Sequence, residues 1–206
     1  MWCFFEPLDL WVWPNTYYHV SESVVAAKSI TELSLVGCNF KPFYSDISLS
    51  SLKKLVLDEV YVEDQLVQTL IASCPVVEKI AFARCDGLKN IQVLGLPKLM
   101  AIKLLYIPEL DSFETEAPNL ITLFIKLWKP CEINLFPCGS LENLELHLAT
   151  ETNNWLHDVL SKHRLIKSLT LNHCNMLKKI KISSDRMKNL TFICCSELIE
   201  TCNCYS

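Results

Sequence analysis

Apolar residues recur along this chain as a triplet: one residue, a second three positions on, and a third two further. The first clear instance is SITELSLVGCNF (residues 29–40), with Ile30, Leu33 and Leu35. With Ile30 as offset 0, the triplet returns in LKKLVL (52–57), VEKIAF (77–82), LMAIKL (99–104) and LITLFI (120–125). It closes with LENLEL (141–146), IKSLTL (166–171) and MKNLTF (187–192). The starts are separated by 22, 25, 22, 21, 21, 25 and 21 residues, and all 24 positions at offsets 0, 3 and 5 are apolar. Offsets 3 and 5 lie on one face of an extended strand, so that face packs inward. Offset 0 enters the same core from the turn before the strand. A unit this small cannot bury its own apolar face, whereas parallel stacking of units makes one continuous core.

A period of about 20–29 residues with this pattern is the signature of leucine-rich repeats. It predicts an α/β solenoid, curved, with a parallel concave sheet and a mixed helical and extended convex side. The expected division is a lead-in or cap over residues 1–29 and about eight irregular repeats over 30–206. The aromatic N-terminus (Trp2, Phe4, Phe5, Trp11, Trp13) is expected to cover the first repeat, since a solenoid needs its end closed. Between the strands, VEDQLVQTLIASC (62–74) puts Leu66, Val67, Leu70 and Ile71 on one helical face, and NWLHDVLSKHRL (154–165) does so with Leu156, Val159 and Leu160. These helices fall in the two 25-residue repeats, which have the extra length. Shorter repeats carry LKNIQV (88–93), LDSF (110–113) and LKKIKI (177–182), read as short outer strands or extended turns. Pro75, Pro97 and Pro118 each stand two residues before a repeat start, where proline stops a helix and favours an extended approach.

Composition narrows the function. Half the chain is apolar and the net charge is −4, which argues against a nucleic-acid partner held by a broad basic surface. No apolar run reaches the roughly 18 residues of a membrane helix, so no membrane partner is expected. The N-terminus lacks a basic start, so no secretory signal is expected and the eleven cysteines read as reduced thiols of a cytoplasmic or nuclear protein. The four glycines form no phosphate-cradling loop.

Cys38, Cys85, Cys174 and Cys195 all fall at offset 8. A small, weakly polar side chain there can turn inward and meet backbone groups. Cys74, at a helix end, is expected to be buried. Cys194, Cys195, Cys202 and Cys204 form the one grouping suggestive of zinc, but adjacent and alternate cysteines are not the usual knuckle spacing. No metal and no cofactor are therefore expected. The five histidines show no metalloprotease spacing and are read as surface or strand-edge residues, and no nucleophile elbow or carboxylate pair appears. The expected function is non-catalytic. A thiol or metal-dependent enzyme using the C-terminal cysteines is the alternative from another class.

The concave face should display offsets 2, 4 and 6. Lys103, Leu105, Phe124 and Lys126 then lie together on two neighbouring strands. With Val56 and Glu145 they form the candidate partner-binding set. An exposed aromatic flanked by lysines suits a protein partner with apolar and acidic groups.

The LxxLxLxxC units, the helix ending in IASCPVVEKI, the run CDGLKNIQVLGLPKLMAI and the lead-in YYHVSESVVAAKSITELSLVGCNF resemble plant F-box/LRR proteins, more narrowly the FBD-associated group. The resemblance covers Tyr17 to Cys195. It implies that the repeats hold a protein substrate while an F-box binds the Skp-type adaptor of a cullin ubiquitin ligase. No F-box pattern precedes the repeats, and SELIETCNCYS stops short of a whole FBD domain, so adaptor contact is expected only through an F-box outside this chain. The alternatives are a repeat scaffold or signalling protein with no ligase link, and a truncated, non-functional fragment.

Overall fold

A computed structural model describes residues 18–40, 47–129, 131–136, 138–147, 153–174, 176–182, 186–196, 198 and 200–203. The N-terminal aromatics and Cys204 named above lie outside the described residues. In chain order the elements are β1 (Tyr18–His19), α1 (Glu22–Val25), β2 (Glu32–Val36), β3 (Cys38–Asn39), β4 (Lys54–Asp58), α2 (Asp64–Ala72), β5 (Lys79–Ala83) and β6 (Asn90–Leu94). They continue with β7 (Ala101–Leu105), β8 (Ser112–Glu116), β9 (Thr122–Lys126), β10 (Glu132–Leu135), β11 (Asn143–His147) and α3 (Asn153–Lys162). The last are β12 (Ser168–Asn172), β13 (Lys179–Ile182), β14 (Asn189–Ile193) and β15 (Glu200–Asn203). Among the described residues no helix is long and apolar enough to cross a membrane.

The eight triplets are the eight strands of one parallel sheet, in the order β2-β4-β5-β7-β9-β11-β12-β14. Each strand spans offsets 2 to 6. Offsets 3 and 5 are buried in the first seven repeats; in the last, Leu190 and Phe192 are partly buried against the same core. This is the α/β leucine-rich-repeat solenoid that the periodicity predicts.

Two backbone devices hold the repeats in step. At all seven junctions the offset-1 carbonyl accepts from two successive N–H groups of the next repeat, as when Thr31 O takes those of Lys53 (2.7 Å) and Lys54 (3.1 Å). Before each of the first seven strands of this sheet a tight turn carries the offset 0 N–H to the carbonyl three residues back, as from Val77 to Cys74 (3.1 Å). Pro75, Pro97 and Pro118 are the second residues of such turns, where their fixed φ fits. They start a turn and do not extend the chain.

At the strand exit, offset 7 takes a left-handed backbone in Gly37, Glu59, Arg84, Tyr106, His173 and Cys194, with φ between 49° and 61°. Only glycine adopts this without cost. In Gly37, Glu59, Arg84, Tyr106 and His173 the N–H compensates by reaching the next repeat, as from Arg84 to Leu105 O (2.8 Å) and from Tyr106 to Lys126 O (2.6 Å). The turn then swings offset 8 inward. Cys85 Sγ lies 3.4 Å from Leu57 O and 3.3 Å from Ala83 O, and Cys195 Sγ lies 3.5 Å from both Leu171 O and Ile193 O. Cys174 repeats the arrangement, and Cys38 and Cys74 are fully buried. The offset 8 thiols are packing groups, as their spacing implies.

The fifth repeat breaks the pattern. Leu127, at offset 7, has no left-handed backbone and is buried, while Trp128 at offset 8 is 58% exposed. The outer strand β10 starts 12 residues after Leu120, whereas β6 and β8 start 13 after Val77 and Leu99. One residue of the exit turn is therefore missing. Leu127 takes the inward place and the indole goes out.

On the convex side, β6, β8 and β10 form a three-stranded parallel sheet, and β13 pairs with β15. The expected outer strands at 88–93, 110–113 and 177–182 thus appear as β6, β8 and β13; β10 joins them unannounced. The two expected helices are α2 and α3, and each covers an edge of the outer sheet. Asp64 accepts from the N–H groups of Lys89 (2.8 Å) and Asn90 (3.1 Å), and Gln68 Nε2 donates to Gln92 O (3.1 Å). On the far edge Trp155 Nε1 donates to Ile133 O (2.8 Å).

His163 corrects the surface reading of the histidines. It is 3% exposed, at the turn position three residues before Ile166. Its Nδ1 donates to Val159 O (2.8 Å) and its Nε2 accepts from the Cys138 N–H (3.3 Å), which fixes the tautomer. It is a buried polar group with its partners in place.

Arg84 reaches back over its left-handed turn to the Asp58 carboxylate (2.6 Å) and to Glu59 Oε1 (3.1 Å). Burial raises the Asp58 carboxyl above its ordinary value, and the guanidinium partly opposes this. A raised carboxyl in the folded state binds its proton more tightly than in the unfolded chain. Its contribution to stability is therefore lost as pH rises from the ordinary aspartate range through the raised value. Arg84→Met should cost about 1–3 kcal/mol at neutral pH. Denaturant melts should show that loss fading as Asp58 becomes protonated; an equal loss at every pH would show that packing alone is involved. Burial also pushes the Cys74 and Cys85 thiols up to about 12, leaving little thiolate at neutral pH. Cys194 is exposed. Iodoacetamide followed by peptide mapping should modify Cys194 in the native protein and reach Cys74 and Cys85 only after denaturation.

Candidate functional site

In-register parallel strands make equal offsets run as straight rows across the concave face. The offset 4 row reads Val56, Ala81, Lys103, Phe124, Glu145, each the direct cross-strand partner of the next. The offset 6 row places Leu105 beside Lys126 and Lys126 beside His147. The six residues expected from the sequence thus share one face. Lys103, Leu105, Phe124 and Lys126 form a two-by-two block on β7 and β9. Glu145 adjoins Phe124 on β11. Val56 lies two strands from Lys103, with Ala81 between.

The side chains add what the rows cannot. Lys103 Nζ sits 5.0 Å from the centroid of the half-buried Phe124 ring. Burial lowers the Lys103 ammonium from its ordinary value, opposed by the Glu145 charge. On the other side the Phe124 ring lies 5.3 Å from the His147 ring. His147 Nε2 is 2.7 Å from Glu145 Oε1, and its Nδ1 accepts from the Asn172 amide (3.2 Å). Phe124 is therefore held between a cation and an imidazole whose orientation is set by two further partners.

Lys126 carries its ammonium to a different ring. Its Nζ lies 4.9 Å from the Tyr106 ring, which in turn packs on Trp128 with centroids 4.6 Å apart. This second aromatic cluster, at the strand exits, is absent from the expected set. The missing residue of the fifth repeat exposes Trp128 and so creates it. Its signal in the sequence is a large apolar residue at an offset that cysteine holds in four other repeats.

Beside the row, a hollow of about 570 Å³ opens over β4, β5, β7 and β9. Val56, Ala81 and Ala101 line it together with Lys54, Lys79, Lys103 and Phe124. Among the described residues no group of three or more His, Cys, Asp or Glu side chains is placed to hold a metal ion. Cys194 is exposed while Cys195 turns toward the backbone, so these neighbours point apart.

Comparison with known proteins identifies the architecture. The chain is 34% identical over 116 residues to the FBD-associated F-box protein At5g38590 of Arabidopsis thaliana, covering 53% of this chain and 28% of that protein. It is 25% identical over 183 residues to the F-box/LRR-repeat protein At3g03360 of the same plant, covering 84% of this chain and 37% of the relative. A third Arabidopsis protein, the putative F-box/LRR-repeat protein At3g18150, is 25% identical over 152 residues, 70% of this chain and 31% of its own. The chain spans well under half the length of each of these relatives. No solved structure matches it. Residues 5–135, more than half the chain, match the family described as At1g61320/AtMIF1, LRR domain. With eight in-register repeats and relatives of the F-box/LRR kind, the chain belongs to this family of leucine-rich-repeat domains.

Proposed function

We propose that this domain is a non-catalytic protein-binding module that holds a substrate for a cullin-type ubiquitin ligase. The supporting observation is the block of Lys103, Leu105, Phe124 and Lys126, continued by Glu145 and by the Tyr106–Trp128 pair. It offers the half-buried Phe124 and a cationic fringe on the concave face, with the exposed Trp128 at the adjoining strand exits. Aromatic anchors of this kind carry most of the energy in protein interfaces, because they bury large area at little entropic cost. The ligase link rests on the relatives, which are named as F-box proteins. The adaptor would bind an F-box outside this chain. A scaffold role without a ligase uses the same face and differs only in what else is attached.

Affinity capture from plant extract with the wild-type domain and with a Phe124→Ala, Lys126→Glu variant tests the face. Partners held by the wild type should be lost or weakened about tenfold or more by the double change, equivalent to about 1.4 kcal/mol or more. The variant should keep its circular dichroism and melting behaviour. Equal retention of every partner would place the interface elsewhere. An in-frame F-box in the genomic sequence upstream, with adaptor captured by the longer product, separates the ligase role from the scaffold role.

A further inference from the structure

The hollow over β4, β5 and β7 differs from the rest of the concave face in shape and in charge. Its depth comes from small side chains. Ala81 holds offset 4 where the next two strands carry Lys103 and Phe124, and Ala101 holds offset 2 where the two strands before it carry Lys54 and Lys79. The volume of about 570 Å³ lies within the roughly 300–1,000 Å³ of small-molecule sites.

The charge is inverted relative to the chain. The protein carries −4 overall, yet the hollow is lined by three lysines and one carboxylate, Glu145. Lys54 and Lys79 are direct cross-strand partners, on strands about 4.8 Å apart. Like charges so placed repel. Glu32 pairs with Lys54 at 3.0 Å, and Lys103 adds a third ammonium one strand further on. An inorganic anion does not suit the floor, because the strand N–H groups beneath it are spent on the sheet ladder. A cation is repelled by the lysines. A hydrocarbon body with an acidic end matches both the apolar centre and the charged margin.

We propose that this hollow binds a small apolar molecule bearing a carboxylate, with its body over Val56, Ala81 and Ala101 and its carboxylate toward Lys79 and Lys103. The inference goes beyond the protein-partner reading and requires no protein partner.

Three probes with one body and different charge test it: 2-naphthoate, 2-naphthalenemethanol and 2-naphthylmethylammonium, titrated by calorimetry and ligand-observed NMR. The carboxylate should bind, the alcohol about tenfold more weakly, and the ammonium not measurably. Ala81→Trp fills the hollow and should abolish naphthoate binding. Lys79→Glu combined with Lys103→Glu should reverse the preference toward the ammonium probe. These lysines project from the sheet and leave its core intact, so the charge-reversed variant serves even if Ala81→Trp fails to fold. The proposal is overturned if none of the probes binds at millimolar concentration, if all three bind alike, or if naphthoate binding survives in folded protein of both variants. The readout contains no partner protein, so it stands or falls separately from substrate capture.

Discussion

The concave surface depends on one backbone carbonyl per repeat. At offset 1 that oxygen accepts from two N–H groups of the following repeat, at every junction from Thr31 to Lys167. This pins the register before each strand begins. A slip of one residue in a parallel pair would turn every leucine outward and every offset 4 residue inward. With the register pinned, side chains 20 or more residues apart in the chain become neighbours. Val56, Ala81, Lys103, Phe124 and Glu145 form one row for this reason alone.

Much of this was legible in the sequence, because strand and period signals coincide. Offsets 3 and 5 locate each strand, the spacing locates the next, and alignment of repeats is the same thing as sheet register. The block of Lys103, Leu105, Phe124 and Lys126 could therefore be read without coordinates. Cysteine at offset 8 was equally readable, since a small and weakly polar group recurring at one point of a repeat points to a shared packing place.

What escaped the sequence has specific causes. The shortened exit of the fifth repeat is silent because Leu127 and Trp128 are both apolar, so the pattern stays satisfied whichever goes inside. The shift of β10 follows from the same missing residue. Left-handed backbone at offset 7 is advertised by Gly37 alone; Glu59, Arg84, Tyr106 and His173 adopt it because inter-repeat hydrogen bonds outweigh its cost. His163 occupies a turn position that the first six repeats fill with Ala, Leu or Cys, and its polar partners are backbone groups that carry no sequence identity. In the site, the row was legible but the heads of the side chains were not. Lys103 settles on Phe124, whereas Lys126 crosses to Tyr106.

The outer sheet has one further implication. Its two edges are closed from different repeats, by Asp64 and Gln68 of α2 on β6 and by Trp155 of α3 near β10. The two longer repeats act as bookends around a block of shorter ones. A chain of this kind can gain or lose a whole short repeat inside that block without exposing a raw strand edge to other molecules. Each such step would lengthen or shorten the inner face by one strand, so its span can change in fixed increments while the bookends stay as they are.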